Sequence, residues 1–401
     1  MKPKTIYLDH AATTPIDERV VKLILKSTKD LFANPGGLYD EAILAKKALE
    51  KARKDTADIL SALPDEIIFT SGGTESDNLA LFGVVRKAKE DFPKKKIHII
   101  VSSIEHAAIL EVAQELEKEG VLVSYASPDK DGIISPKTIE SLLKTNTVLV
   151  SVMHANNEIG TIQPIREIAK VIRHFRKNNK MISPQYPVFH TDSSQTASYL
   201  SLRVPPLGVD MMTLSSQKIY GPRGVGVLYV RRGVNLKPII FGGDQEHGIR
   251  PGTENVPFIV GFAEALRISE SKKASEFKRL TVLRDYFIKK LLDDVPGAVL
   301  NGHGKERLPN NVNISAKGMD NDFLVISLAS KGILCSTRSA CKTNNEKGSH
   351  VILALRGEKN LERESLRFSL GRDTTKEKLN TTVRELSRIV KEIKKFEKDI
   401  K

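Results

Sequence analysis

The chain has 401 residues, of which 40% are hydrophobic and 28% charged, enough for one large core and a second, smaller one. Its formal net charge of +14 favours anionic ligands, but aromatic residues are only 5% and the basic residues are spread along the chain, so no nucleic-acid groove stands out. No apolar run reaches the roughly 20 residues of a bilayer span, and Cys335 and Cys341 lack the C-x-x-C spacing or Cys/His surroundings of a structural metal site.

The first residues, MKPKTIYLDHAATTP, show neither an apolar signal core nor an Arg/Ser-rich presequence, which gives a cytoplasmic expectation. The first chemical signal is TSGGTESDN at 70 to 78, ahead of the helical run LALFGVVRKAKE. Two glycines and a hydroxyl at a helix start bring backbone N–H groups and Thr74 toward an anion, although a plain glycine turn with a cap looks similar.

Next comes KIHIIVSS (96 to 103), apolar on both alternating positions as befits a strand buried on both faces. His106 follows it closely, where an imidazole either stacks on an aromatic ligand and moves protons or serves the fold. A helix is expected from Ala107 to Glu119, stopping at Gly120. TVLVSVMH (147 to 154) is another buried strand, and the amides of Asn156 and Asn157 after it either bind a ligand oxygen or satisfy a turn. Arg166 to Lys177 has helical spacing, and the two prolines of NNKMISPQYP (178 to 187) mark a loop.

PVFHTDSS (187 to 194) ends on Asp192, which either caps a helix or holds a pyridine nitrogen protonated; Gln195 lies one helical step beyond. VDMMTLSS (209 to 216) and GVGVLYV (224 to 230) flank Lys218. A lysine beside Ser215 and Ser216, which can grip a phosphate, can hold an aldehyde cofactor as a Schiff base. Strands alternating with helices predict an α/β domain whose ligands gather at the carboxyl ends of its strands. After about residue 255 long helices take over, FIVGFAEALRISES and EFKRLTVLRDYFIKKLLDD, and a second domain is expected there. The last helix opens on a capping box at Thr374 to Glu377 and carries Leu379, Val383, Leu386, Ile389, Ile393 and Phe396 on one face.

Several of these segments belong to a longer set: YLDHAATTP (7 to 15), TSGGTESDNLAL (70 to 81), EHAAILE (105 to 111), VMHANNEIGTIQPI (152 to 165), FHTDSSQ (189 to 195), SSQKIYGPRGVGVLYV (215 to 230), GIRPGTEN (248 to 255), STRSAC (336 to 341) and LRFSLGRDTT (366 to 375). Running nearly end to end, they resemble the pyridoxal-phosphate-dependent cysteine desulfurases of the aminotransferase class V family. The resemblance implies a PLP-transferase type I fold: a mostly parallel sheet in a large cofactor-binding domain (16 to 254), with a smaller α/β domain (1 to 15 and 255 to 401) carrying the cysteine loop. It implies that Lys218 is the Schiff-base lysine, that His106 stacks on the ring, and that Asp192 pairs with the pyridine nitrogen and Gln195 with the ring hydroxyl oxygen. Thr74, Ser215 and Gln217 would contact the phosphate, with Thr253 reaching it from the partner of a homodimer. Asn157 and Arg367 would hold the carboxylate of L-cysteine, for which a guanidinium fork is suited.

Cys341 matches the family's catalytic cysteine, whose thiolate would take sulfur as a persulfide and leave alanine. Cys335 does not match and is expected to be a packing thiol. The sulfur would pass to a scaffold or carrier protein for iron-sulfur cluster assembly or tRNA thiolation; direct tRNA contact through the basic surface is a weaker expectation, and no membrane is involved. The alternatives are a selenocysteine lyase, another class V enzyme, or an inactive scaffold of the same fold. The chain departs from the family pattern at Gln217, where histidine is usual, at Arg338 in the cysteine loop, and in NPGGLYDEA (34 to 42), which lacks the usual histidine.

Overall fold

The computed structural model describes residues 5–316, 319–337, 348–357 and 365–400, with side chains to residue 395. Strand β1 (Ile6–Tyr7) precedes helices α1 (Glu18–Asp30) and α2 (Asp40–Leu60). Alternation then begins with β2 (Ile67–Thr70), α3 (Gly73–Asp91), β3 (His98–Ser102), α4 (Ala107–Lys118), β4 (Leu122–Ala126), α5 (Pro136–Leu142), β5 (Thr147–Ser151) and α6 (Ile165–Asn178). It continues through β6 (Val188–Asp192), α7 (Val204–Leu207), β7 (Met211–Ser215) and β8 (Gly226–Val230) to the long α8 (Val256–Asp294). The remaining elements are β9 (Ala298–Leu300), β10 (Asn311–Ala316), α9 (Asn321–Ser330), β11 (Ile333–Leu334), α10 (His350–Arg356), β12 (Ser365–Ser369) and α11 (Lys376–Ile400).

The expected mostly parallel sheet is present, in the order β2-β8-β7-β6-β5-β3-β4. β3, β4, β5, β6 and β7 run parallel, whereas β8 returns antiparallel to β7 and pairs β2. All five residues of β3, β5 and β7 are buried, so the doubly apolar runs fit strands covered by helices on both faces. Because these strands point the same way, the segments after β3, β5, β6 and β7 emerge at one edge of the sheet. The helix expected from Ala107 matches α4, with Glu119 as its C-cap and Gly120 at φ 83° ending it.

The two helical patterns after residue 255 form one helix of 39 residues, since nothing between Ser271 and Glu276 breaks it. Its first half buries Ile259, Phe262 and Leu266 in the sheet-side core with Val20 and Leu49. Its second half buries Leu280, Phe287 and Leu291 in another core with Val312, Phe368 and Leu379, where the Phe287 and Phe368 rings meet edge to face at 5.3 Å. α8 is thus shared between the two cores. The second core rests on the antiparallel sheet β12-β10-β9 and the parallel pair β1-β11. Leu8 stitches them together: its N–H donates to Leu334 O at 2.8 Å and its carbonyl accepts from Ser369 N at 2.7 Å.

The cap of α11 lies one residue later than expected. Thr375 Oγ1 accepts from Lys378 N at 3.4 Å, while Thr374, 2% exposed, accepts from Gly371 N at 2.9 Å and is held in the preceding turn. Leu379, Val383, Leu386 and Ile389 are buried and Ile393 packs beside them. The Phe396 side chain lies outside the described residues.

Candidate active site

One cleft at the carboxyl edge of the sheet receives Thr74, His106, Asn157, Asp192, Gln195, Ser215, Gln217, Lys218 and Arg367. They come from six separate stretches of chain, so only the tertiary fold brings them together. Lys218 sits in the short turn after β7. Thr14 pins that turn to the amino-terminal segment, donating from its N–H and its hydroxyl to Gln217 O at 2.9 Å and accepting from Tyr220 N at 2.8 Å. The carbonyls of Ala11 and Ala12 are thereby set 2.6 Å from Lys218 Nζ, which donates to both. Gln195 Nε2 donates to the same Ala11 carbonyl at 3.0 Å. The role of these two backbone carbonyls was not visible in the sequence, because an alanine pair carries no polar side chain to mark it.

His106 serves the fold and also borders the cleft. Its Nδ1 accepts from Ala108 N at 3.1 Å and caps α4, and its ring lines the cleft. With Nδ1 accepting, the neutral ring carries its proton on Nε2. Burial lowers its pKa below the usual histidine value, with Asp192 opposing and Lys218 adding to the fall. Asp192 Oδ1 accepts from Ser194 N at 2.8 Å in a local turn, and the residue still faces the cleft. Asn156 serves the turn: Oδ1 accepts from Glu158 N at 2.8 Å and from Ile159 N at 2.9 Å, while Asn157 lines the cleft.

At the opposite wall α3 begins at Gly73, earlier than the apolar pattern suggested, so Thr74 lies in its first turn. Gly72 supplies no side-chain cap, which leaves the first-turn N–H groups to an outside acceptor. Close packing keeps this wall tight. A Cβ on Gly73 would lie 3.3 Å from Ser194 Oγ and 3.4 Å from Ser215 Cβ, and one on Gly226 would lie 2.6 Å from the backbone of Gly72. Asp77, one helical turn beyond Thr74, also lines the cleft and went unassigned in the sequence, where its i,i+3 spacing from Thr74 was the available signal. It is 1% exposed, its Oδ1 has no hydrogen-bond partner, and burial and the nearby Asp192 raise its pKa well above the carboxylate range.

Arg367 is 1% exposed on β12. Its Nη1 donates to Asn157 O at 3.0 Å and its Nη2 to Asp9 Oδ1 at 2.9 Å, while its Nε is buried with no partner. A buried guanidinium with one idle donor at a cleft is suited to a ligand carboxylate. Cys335 packs against the second core, and burial pushes its thiol up to about 12, as an inert thiol requires. Thr253 is exposed and does not line this cleft. Cys341 and Arg338 lie outside the described residues.

A wider groove between α8 and α11 is rimmed by surface ion pairs such as Lys290–Asp294 and Arg388–Glu392 and gathers none of the residues above. Among the described residues no group of three or more His, Cys, Asp or Glu side chains is placed to hold a metal ion, and no helix is long and apolar enough to cross a membrane.

The aminotransferase class-V family profile matches residues 6–381. The cysteine desulfurase IscS of Dictyoglomus turgidum is 40% identical over 381 residues, covering 95% of this chain and 93% of that protein. Among solved structures, a NifS-like protein superposes with a TM-score of 0.87 at 33% identity, over 97% of this chain and 100% of that one. Another, described as SspA in complex with cysteine, gives a TM-score of 0.77 at 34% identity, over 91% of this chain and 99% of that one. With these matches spanning both cores and every strand of the cleft, the chain belongs to the aminotransferase class V family.

Proposed function

We propose that the chain is a pyridoxal-phosphate-dependent cysteine desulfurase that converts L-cysteine to L-alanine and carries the sulfur as a persulfide on Cys341. The observation that carries this reading is the cleft itself. It joins a lysine amine, a carboxyl side chain, an uncapped helix N-terminus flanked by hydroxyls, and a buried arginine with an unpartnered Nε. These residues fit the cofactor: Lys218 would bond its aldehyde, Thr74, Ser215 and Gln217 its phosphate, Asp192 its ring nitrogen and Gln195 its ring hydroxyl oxygen, with His106 against the ring face. When bound, the group supplies an electron sink that makes the α proton of an amino acid labile.

The chain's own residues do the rest. Arg367 and Asn157 hold the substrate carboxylate and fix its orientation. Lys218 takes and returns a proton at the substrate carbon, and His106, neutral because burial disfavours its charged form, holds a proton at Nε2 for donation. The Cys341 thiolate forms an S–S bond as the substrate C–S bond breaks, and the electron pair left on the β carbon takes a proton to give alanine.

The protein is further proposed to act as a homodimer in the cytoplasm and to pass sulfur to an acceptor protein for iron-sulfur cluster assembly or tRNA thiolation. Thr253, outside its own chain's cleft, would then serve the partner's phosphate site. Exposed apolar side chains support the dimer: Phe32 is 73%, Leu38 96% and Phe241 80% exposed. A shallow cavity lined by Asn34, Pro35, Asp244 and Gln245 joins the segments that carry them. Mass spectrometry after exposure to cysteine tests the activity, with one added sulfur on Cys341 and alanine released as the expected result. Undiminished sulfur release by Cys341→Ala would refute the persulfide route.

A further inference from the structure

Two carboxyl groups line the cleft; the proposed reading gives Asp192 a role and leaves Asp77 without one. Asp77 lies one turn beyond Thr74 on α3, buried, with Oδ1 unpartnered. Behind it a chain of polar side chains crosses the interior of the sheet. Ser151 Oγ lies 2.9 Å from His190 Nδ1, His190 Nε2 lies 3.0 Å from Thr213 Oγ1, and Thr213 hydrogen-bonds the Asp77 side chain. Ser151, His190 and Thr213 are all 0% exposed. They stand on β5, β6 and β7, and Thr213 is the register partner of Asp192, so Asp77 is held beside the second carboxyl group.

This chain brings Asp77 no positive charge. Burial pushes His190 down to about 3, and a neutral imidazole bonded at both nitrogens donates from one and accepts at the other. With Ser151 donating to Nδ1 and Nε2 donating to Thr213, the Thr213 hydroxyl is left to donate to Asp77. Asp77 Oδ1 is 3.7 Å from His190 Nε2, too far for a hydrogen bond. Burial, Asp192 and the more weakly acting Glu105 all disfavour a carboxylate at Asp77. Lys218, His106 and Arg367 share the cleft, where Lys218 donates to the Ala11 and Ala12 carbonyls and Arg367 Nη2 to Asp9. Neighbouring buried carboxyl groups do not both ionise unless a cation joins them.

We propose that Asp77 is a proton store for the ring nitrogen of the cofactor: its O–H bond breaks as the ring docks, the electron pair stays on the carboxylate, and the proton passes to the nitrogen lone pair. The inference rests on the pyridoxal-phosphate reading. Asp77 then faces a ring cation, and opposite charge close by favours its ionised form. The summed charge of Asp77, Asp192 and the ring is the same before and after, so the transfer buries no new net charge. An acid with a purely structural role would keep its proton throughout.

The test uses the full-length protein, stripped of cofactor and reloaded, with its aspartate carboxyl groups isotopically labelled so that the infrared band of Glu105 is separated from theirs. At about pH 8, where an ordinary carboxyl group is ionised, the cofactor-free protein should show the C=O stretch of an un-ionised aspartic acid that Asp77→Asn lacks. Pyridoxal phosphate should abolish this band, whereas an analogue with C–H in place of the ring nitrogen should leave it. Calorimetry of cofactor binding in buffers of different ionisation enthalpy gives the protons exchanged with solvent. Asp77→Asn has to draw the ring proton from solvent and should take up about one proton more per site than the wild type. If Asp77→Asn fails to fold, the response of the wild-type band to the two ligands still decides. A band that survives pyridoxal phosphate, one lost equally with the analogue, or equal proton uptake by the two proteins would overturn the proton store. A wild-type protein that gains no visible absorbance with pyridoxal phosphate would instead overturn the reading on which it rests.

Discussion

Arg367→Lys gives the sharpest check on the substrate site. In the wild type the guanidinium spends Nη1 on Asn157 O at 3.0 Å and Nη2 on Asp9 Oδ1 at 2.9 Å, and its Nε is buried and unpartnered; the proposed reading sets this group against the substrate carboxylate. Lysine keeps the charge but offers one nitrogen in place of a planar fork, so it cannot satisfy Asp9, the Asn157 carbonyl and a carboxylate at their present spacing. The expected loss is one hydrogen bond to a charged group, about 1.5–3 kcal/mol. At about 1.4 kcal/mol per tenfold, that is a rise in KM for cysteine of about 10- to 150-fold, with kcat changed much less. Steady-state alanine production over a range of cysteine concentrations measures both constants. A KM within threefold of wild type, or a loss confined to kcat, would refute the assignment of Arg367 to the carboxylate.

Three further outcomes follow from other parts of the molecule. Glu246, 4% exposed, takes Arg53 Nη2 at 2.7 Å, Arg53 Nη1 at 2.8 Å and Phe69 N at 2.8 Å, so Arg53→Met strands a buried carboxylate. A loss of about 3–5 kcal/mol in urea unfolding is expected, and one below about 1 kcal/mol would count against the pair. His154 is 4% exposed, and burial, reinforced by Lys273, lowers its pKa from 6.5 to about 4. The unfolded chain therefore binds the extra proton first, and this residue's contribution to stability is lost as pH falls from about 6.5 to about 4. His154→Gln should remove about 3 kcal/mol of that acid sensitivity; parallel stability curves for the two proteins between pH 7.5 and 4 would contradict it. Gly226→Ala forces a Cβ to within 2.6 Å of the Gly72 backbone and should displace the turn leading into α3. Cofactor affinity, followed by absorbance during dialysis, is expected to fall at least about tenfold through loss of charge-assisted bonds to the phosphate, and unchanged retention would show that the turn does not contribute to the grip.

The legibility of each site residue depended on its surroundings. Lys218 and Ser215 stood out because a polar side chain at the end of a doubly apolar strand has few structural reasons to be there. Asp192 and His106 were ambiguous, since a cap and a ligand contact ask for the same residue types, and the structure gives both of them local hydrogen bonds as well as a place in the cleft. The carbonyls of Ala11 and Ala12 left no trace, because every residue has a carbonyl and only folding aims it. The cap of α11 was misplaced by one residue because Thr374 and Thr375 are equivalent as sequence and differ only in that Thr374 is bound to Gly371. α8 is one helix shared between two cores, something apolar periodicity cannot report because it marks that a face is buried but not against what.

By itself the sequence determined the strand pattern, the candidate residues and the family resemblance, because side-chain periodicity and motif spacing are local properties of the chain. Only the tertiary structure decided that Thr74, Asp192, Lys218 and Arg367 share one cleft. It also decided that Asp9 neutralises the arginine and that Glu158 reaches Ser349 across 191 residues of sequence. Such contacts depend on strand order and on the insertion of residues 6–9 between β11 and β12, and these are settled by burial of the whole chain rather than by any one segment of it.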